Sequence, residues 1–240
     1  MRIGTWNLQR GGASDRVATR QMEALAALEF DVMVLTEPPA ALVAKELRPL
    51  VASPTEREGT RGLEAWVAIV GDGLVEAEPA VPFEGLATVG RLPRATPPTT
   101  VVGAVLPWLN APAQAPELRH GRETSFQMFK RLLESQADVV RDVRLRYPDD
   151  LVVWAGDFNQ TLTGRQQGGG SAARRGALRD CLGALGLAAW NAEAPHACLP
   201  LHAIDLICGP TDRSPSLLNV LWPKVGVGPL SDHAGYLVAL

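Results

Sequence analysis

Asn7, Glu37, Asp157 with Asn159, and Asp232 with His233 are the residues whose types and positions could do chemistry. Each stands at or just beyond the end of an apolar run, where a rigid sheet can aim side chains into one cleft. Asp and Asn also occupy such positions as turn residues that bond local backbone, and any one of them taken singly is explained that way. Glu37 is harder to explain so. It follows directly on Asp31-Val32-Met33-Val34-Leu35-Thr36, and a carboxylate buried alone there costs on the order of several kcal/mol, so it must reach water, a cation or a metal. Asp157 and Asp232 add carboxylates and Asn7 a neutral carbonyl oxygen. These hard donors suit one magnesium or manganese ion that keeps several waters.

Asp232-His233 sets a titratable imidazole beside a carboxylate, and Asp205 lies inside the otherwise apolar run Ala203-Ile204-Asp205-Leu206-Ile207. A lone Asp in that setting needs a partner. A histidine ring nitrogen is the economical one, because the carboxylate then sets the tautomer and stabilises imidazolium. A backbone bond at a bulge, or an edge strand facing water, is the alternative.

The elements that must carry these groups follow from periodicity. Residues 2–8 and 31–36 read as strands, the second covered on both faces, with a helix between them that starts at Asp15 and buries Val17, Met22, Leu25 and Leu28. A short helix after Pro38-Pro39 is expected to run to about Leu47. Residues 51–106 read as a meander of short antiparallel strands at 65–70, 86–91 and 99–106. Residues 123–146 form the longest helix candidate, with Phe126, Phe129 and Leu133 on one face, and 151–155 the clearest buried strand. A further helix at 174–185 and strands at 203–208, 217–221 and 235–240 complete the pattern.

A chain of 240 residues with 46% hydrophobic content can fill one core without disulfides or structural metal. No linker divides it, so a single domain over 1–240 is expected. Its 23 basic and 26 acidic residues give a net charge of −3, which excludes a globally basic nucleic-acid coat but leaves local basic patches open. The cysteines Cys181, Cys198 and Cys208 have no C-x-x-C spacing, so neither a disulfide framework nor a zinc knuckle is supported and a reducing compartment fits. Met1-Arg2-Ile3-Gly4 runs straight into a strand without an apolar leader, and no stretch approaches the ~18 apolar residues of a membrane span. The expectation is a cytoplasmic monomer with no membrane partner.

Thr5-Trp6-Asn7, Thr36-Glu37, Gly156-Asp157-Phe158-Asn159, Ile204-Asp205-Leu206-Ile207 and Ser231-Asp232-His233, read in this order over nearly the whole chain, resemble the motifs of the endonuclease/exonuclease/phosphatase superfamily. Its members are metal-dependent phosphoesterases: DNase I-like nucleases, abasic-site endonucleases, sphingomyelinases and inositol-polyphosphate phosphatases. The resemblance implies a four-layered α/β/β/α sandwich of two mixed, mainly antiparallel sheets with outer helices. It implies Glu37 as principal ligand of Mg2+ or Mn2+, with Asn7 and Asp232 near the ion. Asp157 then activates the attacking water, Asn159 bonds a phosphate oxygen, His233 contacts the phosphate and Asp205 stands behind it.

One departure from the family pattern is plain. Members often carry Thr-His or an equivalent Tyr at the end of a middle strand, and here that segment reads Val102-Gly103-Ala104-Val105-Leu106-Pro107-Trp108. His120 could fold back towards the gap, or be a solvated loop residue. Trp108 could stack on a base, or pack beneath the cleft. Arg165 and Arg174, in a stretch that also holds Arg175 and Arg179, could reach a substrate phosphate or face water. Gly168-Gly169-Gly170 lacks the Lys-Ser/Thr of a nucleotide-binding loop. His196 and His202 read as loop or core-edge residues without zinc-ligand spacing. The expected activity is metal-dependent phosphodiester hydrolysis on nucleic acid or a nucleotide-like substrate. The alternatives are a phosphomonoesterase, a lipid phosphodiesterase, and a catalytically weak scaffold on the same fold.

Overall fold

The computed structural model describes residues 1–9, 15–44, 49–53, 57–59, 62–78, 86–114, 118–164, 170–197, 201–221 and 230–240. The chain opens with β1 (Arg2–Asn7), α1 (Asp15–Ala26), β2 (Val32–Thr36) and α2 (Ala40–Ala44). Short strands follow: β3 (Leu50–Ala52), β4 (Arg57–Gly59), β5 (Gly62–Glu64), β6 (Val67–Gly71) and β7 (Val75–Glu76). Next come β8 (Ala87–Leu92), β9 (Thr99–Val105), α3 (Ala111–Gln114), α4 (Ser125–Arg146) and β10 (Leu151–Asp157). The last elements are α5 (Ala172–Ala184), β11 (Leu187–Ala189), β12 (Asp205–Pro210), β13 (Ser216–Leu221) and β14 (Gly235–Ala239).

Two six-stranded sheets face each other, ordered β13-β14-β1-β2-β6-β3 and β11-β12-β10-β9-β8-β7, and β4 and β5 form a separate hairpin. β1 runs parallel to β2, and β9 to β10; the other pairings are antiparallel. β1 packs across on β10 and β12, β2 on β9 and β10, and β6 on β8 and β9. With α1 on the outer face of the first sheet and α4 and α5 on that of the second, this is the expected four-layered sandwich. The expected meander over 51–106 is corrected. β3 and β6 belong to the first sheet and β7, β8 and β9 to the second, because the chain passes from one sheet to the other at the exposed turn of Asp72 and Gly73 after β6 instead of turning back beside it.

The two sheets repeat one pattern. In β14-β1-β2-β6 and in β12-β10-β9-β8, an antiparallel, a parallel and an antiparallel pairing follow in turn. β1 therefore corresponds to β10, β14 to β12, and β2 to β9.

Alternation along the strands fills both faces, as expected for a covered sheet. Val32 and Val34 of β2 and Val67 and Ile69 of β6 enter the core between the sheets. Met33, Leu35, Ala68 and Val70 pack instead against Met22 and Leu25 of α1. α4 starts at a capping box in which the Thr124 hydroxyl and the Gln127 side chain each satisfy the other residue's backbone N–H. It buries Met128, Phe129, Leu132, Leu133 and Val140 among others. Phe126, assigned to that face from its spacing, is exposed instead, although Met128 and Phe129 just after it are fully buried. Among the described residues no helix is long and apolar enough to cross a membrane. Cys181 and Cys208 are free thiols, and Cys198 lies outside the described residues.

Candidate active site

Asp157 is the last residue of β10 and faces the first sheet at the end of β1. Gly156 before it has φ 140°, and a Cβ built there would lie 1.9 Å from the carbonyl oxygen of Ala104. Only glycine lets β9 and β10 come this close. Asn7, the last residue of β1, donates from Nδ2 to Asp157 Oδ2 at 2.9 Å, while the Asn159 backbone N–H donates to Oδ1 at 2.8 Å. Both carboxylate oxygens are thus held. Asn7 Oδ1 accepts the Gln9 N–H at 2.8 Å, which leaves one lone pair on that oxygen. Glu37 follows the end of β2 next to Asn7, because the register sets Asn7 beside Thr36. Glu37 and Asn159 both have left-handed backbone, with φ 47° and 50°. Such conformations cost free energy in non-glycine residues and concentrate at functional sites. Glu37 is held there by its N–H on Trp66 O at 2.9 Å, and Asn159 by Nδ2 on Leu106 O at 2.9 Å.

A second bond crosses the sandwich beside the first. Asp205, the first residue of β12 and wholly buried, accepts His233 Nδ1 on Oδ2 at 2.6 Å. Buried Asn191 secures that strand end, donating to Asp205 O and accepting the Ile207 N–H, each at 2.8 Å. Ser231 secures the other partner: its hydroxyl donates to Asn7 O at 2.7 Å and accepts the His233 N–H at 3.1 Å. Asp157 and Asp205 lie directly opposite in the β10–β12 register, a like-charge juxtaposition that destabilises unless compensated. His233 compensates it. Ligating atoms of Asp157, Asp205 and His233 all lie within 4.8 Å of one another, and Asp232 Oδ1 is 3.7 Å from His233 Nε2.

The charges shift one another accordingly. Burial, then the Asp205 carboxylate, and more weakly Glu37, push the Asp157 carboxyl up to about 7 against the pull of His233 and the Asn159 N–H. Burial opposes charge on His233, but the field and hydrogen bond of Asp205, aided by Asp157 and Asp232, outweigh it and raise the ring to about 10. The cluster is an anionic pocket containing an imidazolium.

Asn7, Asp157, Asn159, Asp205 and His233 are therefore gathered, with Glu37 and Asp232 at the same strand ends. Other expected residues lie elsewhere. Arg174, expected to reach substrate phosphate, is 1% exposed and turned inward. Its guanidinium donates to Pro107 O at 2.7 Å, Trp108 O at 3.3 Å, Ser125 O at 2.9 Å and the Ser125 hydroxyl, above the Phe129 ring. It clamps the segment after β9 to α4, and that correction removes it from the substrate side. Arg165 lies outside the described residues, as do Gly168 and Gly169. Arg175 bonds Gly164 O and the Thr161 hydroxyl, and Arg179 bonds Leu162 O, so both brace the loop after Asn159. Trp108 is half-buried, its ring centroid 6.0 Å from that of Trp66 and tilted by 42°. His120 is exposed.

Of the two histidines set aside in the sequence, one stands close by. His196 is buried with its ring centroid 5.5 Å from that of His233. His202 Nδ1 lies 2.7 Å from the Thr163 hydroxyl. That hydroxyl donates its single proton to Ala192 O at 2.7 Å, so the ring must donate from Nδ1. No spacing in the sequence signals either residue; an antiparallel bridge between Pro195 and His202 pairs the two stretches that carry them.

The donors fit a hard divalent cation. Glu37, Asp232 and the open lone pair of Asn7 are all oxygen. Asp205 Oδ1 is buried with no hydrogen-bond partner among the described residues, which adds to an excess of negative charge that such a cation relieves.

No family model and no curated protein matches the chain. Solved structures do. The 3'-5' exonuclease NExo from Neisseria meningitidis aligns with a TM-score of 0.70 at 20% identity, over 100% of this chain and 99% of its own. The 3' phosphatase NExo from Neisseria bound to product DNA hairpin aligns at 0.70 and 18% identity, over 100% and 98%. The AP endonuclease LMAP from Leishmania major aligns at 0.65 and 14% identity, over 99% and 86%. At these identities the likeness shows the fold, and the fold is DNase I-like, as the motifs implied.

Proposed function

We propose that this chain, with a DNase I-like fold and an Asp157, Asp205 and His233 cluster at the junction of its sheets, is a divalent-cation-dependent phosphoester hydrolase acting on nucleic acid. The carrying observation is the convergence of those three ligating groups within 4.8 Å of one another, with both oxygens of Asp157 held by Asn7 and Asn159. Glu37, Asp232 and Asn7 Oδ1 would hold magnesium or manganese, which when bound neutralises charge on the phosphate and leaving oxygens.

The protein groups divide the rest of the work. Asp157 takes the proton of the attacking water, and a proton affinity near neutrality suits a general base. The N–H of Asn159 Nδ2 not used on Leu106 O is available to a non-bridging oxygen. His233 stays cationic at neutral pH and presents Nε2–H to the phosphate, where an oriented donor offsets developing charge. Asp205 keeps Nδ1 protonated and the ring in register. Trp108 packs on the core and against the Trp66 ring, which favours a supporting place for it over stacking on a base.

A nucleic-acid substrate is supported by the fold neighbours, an exonuclease, an AP endonuclease and a phosphatase bound to a DNA hairpin. The phosphatase also favours a second reading, removal of a terminal 3'-phosphate. Turnover of bis(p-nitrophenyl) phosphate and of oligonucleotides ending in 3'-phosphate or 3'-hydroxyl, with magnesium or with EDTA, separates these. The wild-type chain should act only with magnesium, and Asp157→Asn and His233→Ala should each lose about 10²–10⁴-fold in kcat. Equal turnover in all of them would remove the reading.

A further inference from the structure

The excursion between β11 and β12 folds back on itself and delivers one side chain to the site. Pro195 and His202 pair across it, and the His196 N–H donates to Leu201 O at 2.9 Å. Pro195 O accepts the Tyr236 hydroxyl at 2.9 Å, and Tyr236 lies on β14, just past His233. None of these bonds uses the His196 imidazole, yet together they fix where it sits. The ring is 7% exposed and rests against His233, the centroids 5.5 Å apart and the planes at 58°.

His233 needs that neighbour. Its bond to Asp205 holds Nδ1, but the terminal torsion of a histidine is broad, so one hydrogen bond lets the ring swing and carries Nε2 with it. A packed ring beside it removes that freedom. Burial, and then the charge of His233, lower the proton affinity of His196.

We propose that His196 is a positioning residue, holding the His233 imidazole in the orientation that aims Nε2 at the phosphate; this rests on the phosphoesterase reading of the same site. Two readouts on the wild-type chain, His196→Ala and His196→Phe test it: kinetics on the diester, and the low-field proton NMR signal of the His233–Asp205 hydrogen bond. His196→Ala should lower kcat about 10- to 100-fold with KM within about two-fold, as slight misplacement of a reacting group does, and should broaden the low-field signal into solvent exchange. His196→Phe restores a ring and should recover both. An Ala variant with wild-type kcat and signal overturns the proposal, as does a loss that Phe leaves unrepaired. Should the Ala variant fail to fold, His196→Leu fills the volume without a ring, and a Leu variant equal to Phe in both readouts overturns it too. A wild-type chain that hydrolyses nothing but keeps an Ala-sensitive signal would retain the positioning and sink the phosphoesterase reading.

Discussion

Asp205 and Arg174 are both charged side chains buried in the protein, and they were not equally legible. A carboxylate within an apolar run had to find a cationic or donor partner, and His233 is that partner at 2.6 Å. For Arg174 the same reasoning pointed outward to phosphate, whereas its donors are satisfied by Pro107, Trp108 and Ser125. Residue type states what a group requires; it does not state which of several suppliers the fold brings near. Asn7 illustrates a finer version, since half of its amide's capacity is spent on Asp157 and Gln9. At this scale the His233 pairing makes a sharp prediction. Asp205→Asn removes the carboxylate that keeps the ring charged, so kcat should drop by about 10²-fold or more, the usual worth of such a group. Steady-state kinetics alongside a thermal melt check it, and an unchanged kcat in a folded variant would show the dyad to be structural.

Strands and helices were read well where an apolar run is buried at every residue, as in β2 and β10, or where burial recurs every third to fourth residue, as in α4. The partner of each strand was read less well. An apolar run marks a strand, but β6 and β8 read the same whether the chain between them stays in one sheet or passes to the other, so the expected meander split between the sheets. The close approach of β9 and β10 predicts that Gly156→Ala costs more than about 2 kcal/mol, because the new methyl meets carbonyl oxygen and φ 140° is strained for alanine. Urea unfolding measures this, and a loss under half that figure would mean that the strands can part. At the opposite end of the second sheet, Asp150 ties β8 to β9. It accepts Arg91 Nε and a terminal guanidinium nitrogen at 2.7 and 2.9 Å, and the Thr100 hydroxyl at 2.6 Å. The Arg91 hydrogen bond holds its carboxyl below the ordinary carboxylate range. A depressed native pKa contributes stability above the unfolded value of about 4, lost as pH falls through the native value. Asp150→Ala should therefore cost about 2–3 kcal/mol at pH 7, and the gap to wild type should narrow steadily below about pH 4. A gap that stays constant to acid pH would exclude the ion pair as its source.

Across the whole molecule, the repeated strand pattern accounts for the geometry of the site. Asn7 ends β1 and Asp157 ends the corresponding β10; His233 precedes β14 and Asp205 opens the corresponding β12. Each of the two bonds that cross the sandwich thus joins equivalent places in the two sheets. Glu37 follows β2, and the equivalent place after β9 is Leu106, so the symmetry is broken where the cation is expected. A cation held at that one-sided site stabilises the native chain by mass action, about 2.7 kcal/mol at a hundredfold excess over Kd. Magnesium or manganese should raise the Tm of the wild-type chain and leave that of Glu37→Ala nearly unmoved; equal shifts in both would place the cation elsewhere. The chain's own order of residues determined the strands, the outer helices, the hard-oxygen donors and the need of Asp205 for a partner, because periodicity and the cost of burying charge act locally. Only the tertiary structure decided which groups meet: that Asn7 holds Asp157, that Arg174 faces inward, and that His196 lies on His233. Those contacts join residues far apart along the chain, and packing two twisted sheets settles them through distances that no local pattern carries.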